Sequence, residues 1–361
     1  MKIYNCDVCG NQIYFENTLC LNCESQLGYL PLLDAMSSLE AVDDKRWKAL
    51  APNAQGTLYR KCQNYHKENV CNWMVPENDL VDFCLSCRLN EMIPDLSVPE
   101  NRQYWYRIEI AKRRLVYSLL RLGLPLSNKK ENSEKGLGFV FLADEEMPEI
   151  LDTKKVVIGH DQGKITINIA EANDAIREKM RLDMNEEYRT LLGHFRHEIG
   201  HYYWYLLVAD NEDLLQQFRG VFGDEEVDYN QALIRYYEEG PCADWSKRYV
   251  CAYASAHPWE DWAESWAHYL HMFDAFETAL ALGLTVKSKN GDELKIIHGE
   301  DRSLTFDSMK DQWWYLSIAL NSLNRSMGMR DAYPFVWNDA VIEKLRFIHK
   351  VIGHFKKGVQ S

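Results

Sequence analysis

Apolar residues recur at helical spacing between positions 186 and 207, at Leu191, Leu192, Phe195, Ile199 and Tyr202, with no proline among them. The pattern predicts one helix over 186–207. Before it, residues 164–170 alternate apolar and polar side chains and predict a half-buried strand, with shorter strands at 138–142 and 156–158. A helix over 102–122 precedes these strands, and the polar run 129–136 separates them from it. After residue 207 the periodicity is helical again. One helix is expected to begin in the acidic stretch 224–229 and to end at Gly240-Pro241, and Pro258 suits the first position of another. A hairpin is expected over 284–297, turning at Asn290-Gly291, and then helices near 308–326 and 338–355. The loop 324–335 between the last two would serve as a pocket wall or a packed interhelical turn. Near the N-terminus, 29–44 reads as a connector with a short helix. The fold class is α+β: a mostly helical domain with a small sheet over residues 101–361, preceded by a cysteine-rich region over 1–100.

Within the 186–207 helix lies His197-Glu198-Ile199-Gly200-His201, an HExxH pattern. Residues four apart lie above one another on a helix face, so the two imidazoles can grip one Zn²⁺. Glu198, between them, would take a proton from a zinc-activated water and return it to a leaving amine. His194 is on the same face and reads as a satisfied helix histidine. The strand 164–170 could add an extended peptide to its edge.

A catalytic zinc needs a third protein ligand and an open position. Trp204 and Leu207 stand where the metzincin extension requires Gly and His, which excludes that class. The stretch 257–270 instead resembles the thermolysin-like gluzincin pattern, with Glu260 and Glu264 four residues apart behind Pro258. The resemblance implies Glu260 as the third ligand and Glu264 as the carboxylate behind a ligand histidine. Glu264 replaces the Asp commonest in thermolysin, so the two roles could be exchanged. Tyr253, seven residues before Glu260, resembles the oxyanion donor of lethal-factor-type gluzincins, with His257 and Tyr249 as rivals.

The chain has 361 residues, 46% of them hydrophobic, and ten cysteines. No signal peptide and no long apolar run are apparent, so a cytoplasmic, non-membrane protein is expected. Thiols in that setting point to metal rather than disulfides. Cys6-x-x-Cys9 and Cys20-x-x-Cys23 predict a structural Cys₄ zinc site, with iron as the lesser option. Gly10 would relieve the first knuckle's turn. Cys62, Cys71, Cys84 and Cys87 predict a second site, in which His66 could replace Cys71. Cys242 and Cys251 read as buried thiols. Net charge is −13, and residues 1–100 carry eight Lys or Arg against fourteen Asp or Glu, which disfavours nucleic acid as a partner.

Four stretches, 189–204, 222–233, 253–271 and 324–349, together with the leading CxxC pairs, look like the bacterial family that joins a zinc ribbon to a gluzincin-like zinc-binding metallopeptidase. The resemblance implies one catalytic zinc and one or two structural zincs, a peptide or protein substrate, and a ribbon that recruits a protein partner or substrate. Three other readings stay open: a silent zinc-holding scaffold, a nucleic-acid-binding ribbon protein, and a hydrolase of a non-peptide amide.

Overall fold

The computed structural model describes residues 2–143, 159–184, 186–287, 293–295 and 305–358. They form two compact units, one of residues 1–117 and 126–177 and the other of 118–125 and 178–361. Residues 101–117 and 126–177 thus group with the N-terminal region in the first unit.

In the first unit β1 (Tyr4–Asn5) and β2 (Gln12–Ile13) pair on either side of the first cysteine knuckle, and β3 (Gln26–Leu30), β4 (Ala35–Ala41), β5 (Arg46–Ala49), β6 (Leu58–Lys61) and β7 (Met74–Pro76) form an antiparallel meander. This corrects the expected connector and short helix at 29–44, which are strands of a hairpin. Asp34, at φ 49°, turns the chain. Tyr29 and Leu30 on one arm and Met36 and Leu39 on the other are buried. After α1 (Gln63–His66) and β8 (Asn90–Met92), α2 (Pro99–Leu122) leads to β9 (Gly138–Leu142), β10 (Gly159–Asp161) and β11 (Lys164–Asn168). These four strands make one sheet in the order β10-β11-β9-β8. β11 is thus an interior strand, antiparallel to β10 and parallel to β9, and belongs to the first unit. Both its edges are already hydrogen-bonded, so the expected peptide-binding edge at 164–170 is overturned. The expected strand at 156–158 lies outside the described residues.

The second unit is mostly helical. Beyond α3 (Asp174–Asp183), which belongs to it from residue 178 on, come α4 (Leu191–Leu207), α5 (Glu212–Phe222), α6 (Tyr229–Glu239), α7 (Pro258–Ala281), α8 (Phe306–Ser326) and α9 (Asp339–Gly358). β12 (Thr285–Lys287) and β13 (Glu293–Lys295) pair as the two arms of a hairpin whose expected turn at 290–291 is not among the described residues. α4 starts later than expected because Thr190 caps it, its side chain accepting from the Gly193 N–H at 3.0 Å. Among the described residues, no helix is long and apolar enough to cross a membrane.

The core of this unit is the packing of α4 on α7. Tyr203 stacks on Trp266 with ring centroids 5.1 Å apart, and the Trp262 indole N–H donates to the Gly200 carbonyl at 2.8 Å. A Cβ on Gly200 would lie 2.9 Å from Ala263 Cα and 3.1 Å from Trp266 Cβ. α9 holds the first turn of α7 through a buried ion pair, Lys344 Nζ to Asp261 Oδ2 at 2.7 Å. In the 324–335 loop residues 325–330 are exposed, and the packing is made near its end. Its Tyr333 is buried, with its hydroxyl 2.6 Å from His268 Nδ1 and accepting from the Trp337 indole at 2.7 Å.

Gly200→Ala gains helix propensity but forces backbone against backbone. The overpacking cost, about 1–3 kcal/mol, should exceed the gain of about 1 kcal/mol. Calorimetry of the zinc-loaded chain should show a Tm several degrees lower. An unchanged or higher Tm would contradict this helix spacing.

Candidate metal centres

The first cysteine quartet is built by two matching knuckles. Gly10 N–H donates to the Cys6 carbonyl and Glu24 N–H to the Cys20 carbonyl, both at 2.9 Å, with Gly10 at φ 72° and Glu24 at φ 59°. Glycine relieves the left-handed turn in one knuckle, whereas glutamate tolerates it in the other. Ser38 of β4 ties the first knuckle to the sheet, its Oγ 3.3 Å from Cys6 Sγ and accepting from the Asp7 N–H at 3.1 Å. Cys6 and Cys23 sulfurs are 3.6 Å apart and those of Cys9 and Cys20 3.7 Å. The edge of a tetrahedron of Zn–S bonds is about 3.8 Å, so this quartet fits the metal.

Cys62, Cys71, Cys84 and Cys87 also converge, all four buried, with Cys71 and Cys84 sulfurs 3.8 Å apart. N–H groups of Trp73, Cys84 and Cys87 each lie 3.4 Å from a cysteine sulfur of the quartet. The buried Arg113 guanidinium faces the sulfurs and donates to the Val70 carbonyl, placing positive charge beside a thiolate-rich site. His66 is exposed, so Cys71 completes the quartet. Cys242 is exposed rather than buried, whereas Cys251 is largely enclosed and its thiol donates to Glu264 Oε2 at 3.2 Å.

The third cluster is His197, His201 and Glu260, from α4 and α7. His197 Nε2 and His201 Nε2 are 3.2 Å apart. Glu260 Oε2 is 3.0 Å from the former and Glu260 Oε1 3.5 Å from the latter. These separations bracket the edge of a tetrahedral zinc site with nitrogen and oxygen ligands, about 3.3 Å. His197 Nδ1 lies 2.7 Å from Glu264 Oε1, a contact that places the ring proton on Nδ1 and leaves the Nε2 lone pair facing the cluster. Glu260 is only 1% exposed, and its Oε2 has no well-aligned hydrogen bond among the described residues. A buried carboxylate oxygen turned on two imidazole lone pairs is satisfied by a cation.

Burial alone would push the His197 pKa down, but the Glu260 and Glu264 carboxylates hold it well above the ordinary imidazole value. The field that favours a proton there equally favours a metal ion. Burial would likewise raise Glu198, yet the His194 contact and the charges of His197, His194 and His201 bring it down to about 2, so it is ionised. Glu198 Oε1 lies 3.2 Å from His194 Nε2, and its Oε2 has no hydrogen-bond partner among the described residues.

Of the oxyanion candidates, Tyr253 lies in a short 3-10 turn, Tyr253–Ser255, with its ring centroid 6.0 Å from that of His197. His257 has other work. It caps α7, with Nδ1 accepting from the Trp259 N–H at 3.1 Å and Nε2 facing the Val227 carbonyl at 3.0 Å, so neither nitrogen is left for a substrate. Tyr249 has the Lys344 ammonium 4.2 Å from its ring. One residue the sequence did not single out joins the cluster: the Tyr229 hydroxyl donates to Glu260 Oε1 at 2.6 Å. It stands thirty-one residues before Glu260 on another helix, inside the 222–233 stretch that carried the family resemblance, but no spacing tied it to the cluster.

Two imidazoles from one helix and a carboxylate from a second, in a chain with two thiol quartets, are the donor sets of a zinc-binding metallopeptidase with a zinc ribbon. The chain belongs to the family described as "Putative zinc-binding metallo-peptidase", whose model matches residues 101–351, and a zinc-ribbon domain model matches residues 3–98. Similar relatives are an uncharacterized protein of Mycobacterium bovis and uncharacterized proteins of two Mycobacterium tuberculosis strains. Each is 41% identical over 352 residues, covering 98% of this chain and 95% of the relative. No solved structure matches the chain.

Because Glu264 orients His197, Glu264→Gln should weaken zinc binding at this cluster about 10–100-fold while leaving both cysteine quartets loaded. Dialysis against zinc buffers followed by elemental analysis measures it. Equal affinity in the two proteins would mean that Glu264 does not set the tautomer of His197.

Proposed function

We propose that this chain hydrolyses peptide bonds in protein or peptide substrates at the His197–His201–Glu260 centre. The observation that carries the reading is the convergence of both Nε2 atoms on the Glu260 carboxylate, beside an ionised Glu198 with one buried oxygen free of hydrogen bonds among the described residues. His197, His201 and Glu260 would hold zinc, with Glu264 fixing the His197 ring. A zinc ion bound there supplies Lewis acidity and makes water a usable nucleophile near neutral pH. Glu198 accepts the proton of the attacking water and delivers it to the departing amine. Tyr253 donates its hydroxyl to the carbonyl oxygen as negative charge develops on it. The two quartets, Cys6/Cys9/Cys20/Cys23 and Cys62/Cys71/Cys84/Cys87, hold structural zinc, since a closed thiolate shell leaves no open position. The acidic N-terminal region recruits a protein partner or substrate rather than nucleic acid.

The test uses zinc-loaded full-length protein and Glu198→Gln on a peptide library, with new termini counted by mass spectrometry. The wild type should cleave, and the variant should keep its zinc but cleave about 10²–10⁴-fold more slowly. No cleavage by the wild type, or equal cleavage by both, would contradict the reading.

A further inference from the structure

Glu260 is buried and carries a negative charge toward two imidazoles, so what fixes its orientation decides which oxygen a cation meets. Tyr229 is the first residue of α6, and Asp228 caps that helix by accepting from the Gln231 N–H at 2.9 Å. The placement is reinforced from α7. The cap residue His257 is bonded to the Val227 carbonyl, two residues before Tyr229, and the Tyr229 ring lies edge-on to the His257 ring at 5.1 Å and 5.8 Å from Trp259. The phenol is thereby aimed at Glu260 Oε1 by backbone and ring contacts together.

We propose that Tyr229 is a positioning residue of the metal centre, its hydroxyl holding Glu260 Oε1 so that the carboxylate presents Oε2 to the cation. This rests on the zinc reading of His197, His201 and Glu260. The geometry divides the carboxylate between two tasks. Oε1 accepts the phenol at 2.6 Å and lies 3.5 Å from His201 Nε2, while Oε2, closer to the imidazoles at 3.0 Å from His197 Nε2, has no well-aligned hydrogen bond among the described residues. Without the hydroxyl, the carboxylate is free to rotate about its last bond, and a buried acceptor loses its donor. The hydroxyl proton is committed to Glu260, which separates this role from the oxyanion donation assigned to Tyr253.

The experiment is zinc-buffered dialysis and elemental analysis of the full-length wild type, Tyr229→Phe, Tyr253→Phe and His197→Ala, with far-UV circular dichroism as the folding control. His197→Ala defines which zinc belongs to the centre. Tyr229→Phe keeps the ring against His257 and Trp259, so a role in packing alone predicts unchanged affinity. The proposal predicts that the centre loses zinc affinity about 10–100-fold in Tyr229→Phe, with the cysteine-held zinc and the circular dichroism unchanged and with Tyr253→Phe binding as the wild type does. Wild-type affinity in Tyr229→Phe overturns the proposal and leaves the zinc reading standing, provided that His197→Ala has lost one zinc. If His197→Ala loses none, the zinc reading falls and the proposal with it. A loss in Tyr229→Phe that extends to the cysteine-held zinc also overturns the proposal, because it marks general unfolding.

Discussion

The close contact of α4 and α7 at Gly200 is what the rest of the site depends on. His197 and His201 flank that glycine by three residues and one, and Glu260 lies three residues before Ala263, the residue a Cβ at position 200 would strike. Helices packed through ordinary side chains stand about 8–10 Å apart, and a residue without a side chain at the crossing lets them approach toward the lower end. The Trp262 indole bond to the Gly200 carbonyl then fixes the register of one helix on the other. The Lys344–Asp261 pair secures the first turn of α7, where Glu260 sits.

Given that approach, electrostatics takes over. Glu198, Glu260 and Glu264 are held with His194, His197 and His201 in a small volume, and each of the three carboxylates is wholly or largely enclosed. Burying such groups is costly unless charge and hydrogen bonds are balanced. Glu264 is balanced by His197 Nδ1 and the Cys251 thiol, and Glu198 in part by His194. Glu260 has the phenol of Tyr229 on one oxygen and the two imidazole nitrogens beside it, an arrangement that could hold a divalent cation. The thiol quartets follow the same logic, and the deeper one adds the buried Arg113 beside its sulfurs.

Local spacing was the legible part. The four-residue repeat of His197 and His201 and the CxxC knuckles place donors within one turn of backbone, and the structure gathers these residues as clusters. Helices α4, α6, α7, α8 and α9 were readable from periodicity and caps for the same reason. Long-range pairing was not. Alternation in 164–168 marked a strand but not its two neighbours, which are set by segments at 138–142 and 159–161. The hairpin at 26–41 was hidden because its turn relies on Asp34 in a left-handed conformation rather than on glycine. Tyr229 meets Glu260 only through tertiary packing of α6, so no spacing announces it.

The most direct measurement is a zinc-edge anomalous difference map from crystals of the full-length protein. The account predicts three peaks: one within each cysteine quartet and one bonded by His197 Nε2, His201 Nε2 and Glu260. A map with peaks at the quartets and none between α4 and α7 would contradict its central claim.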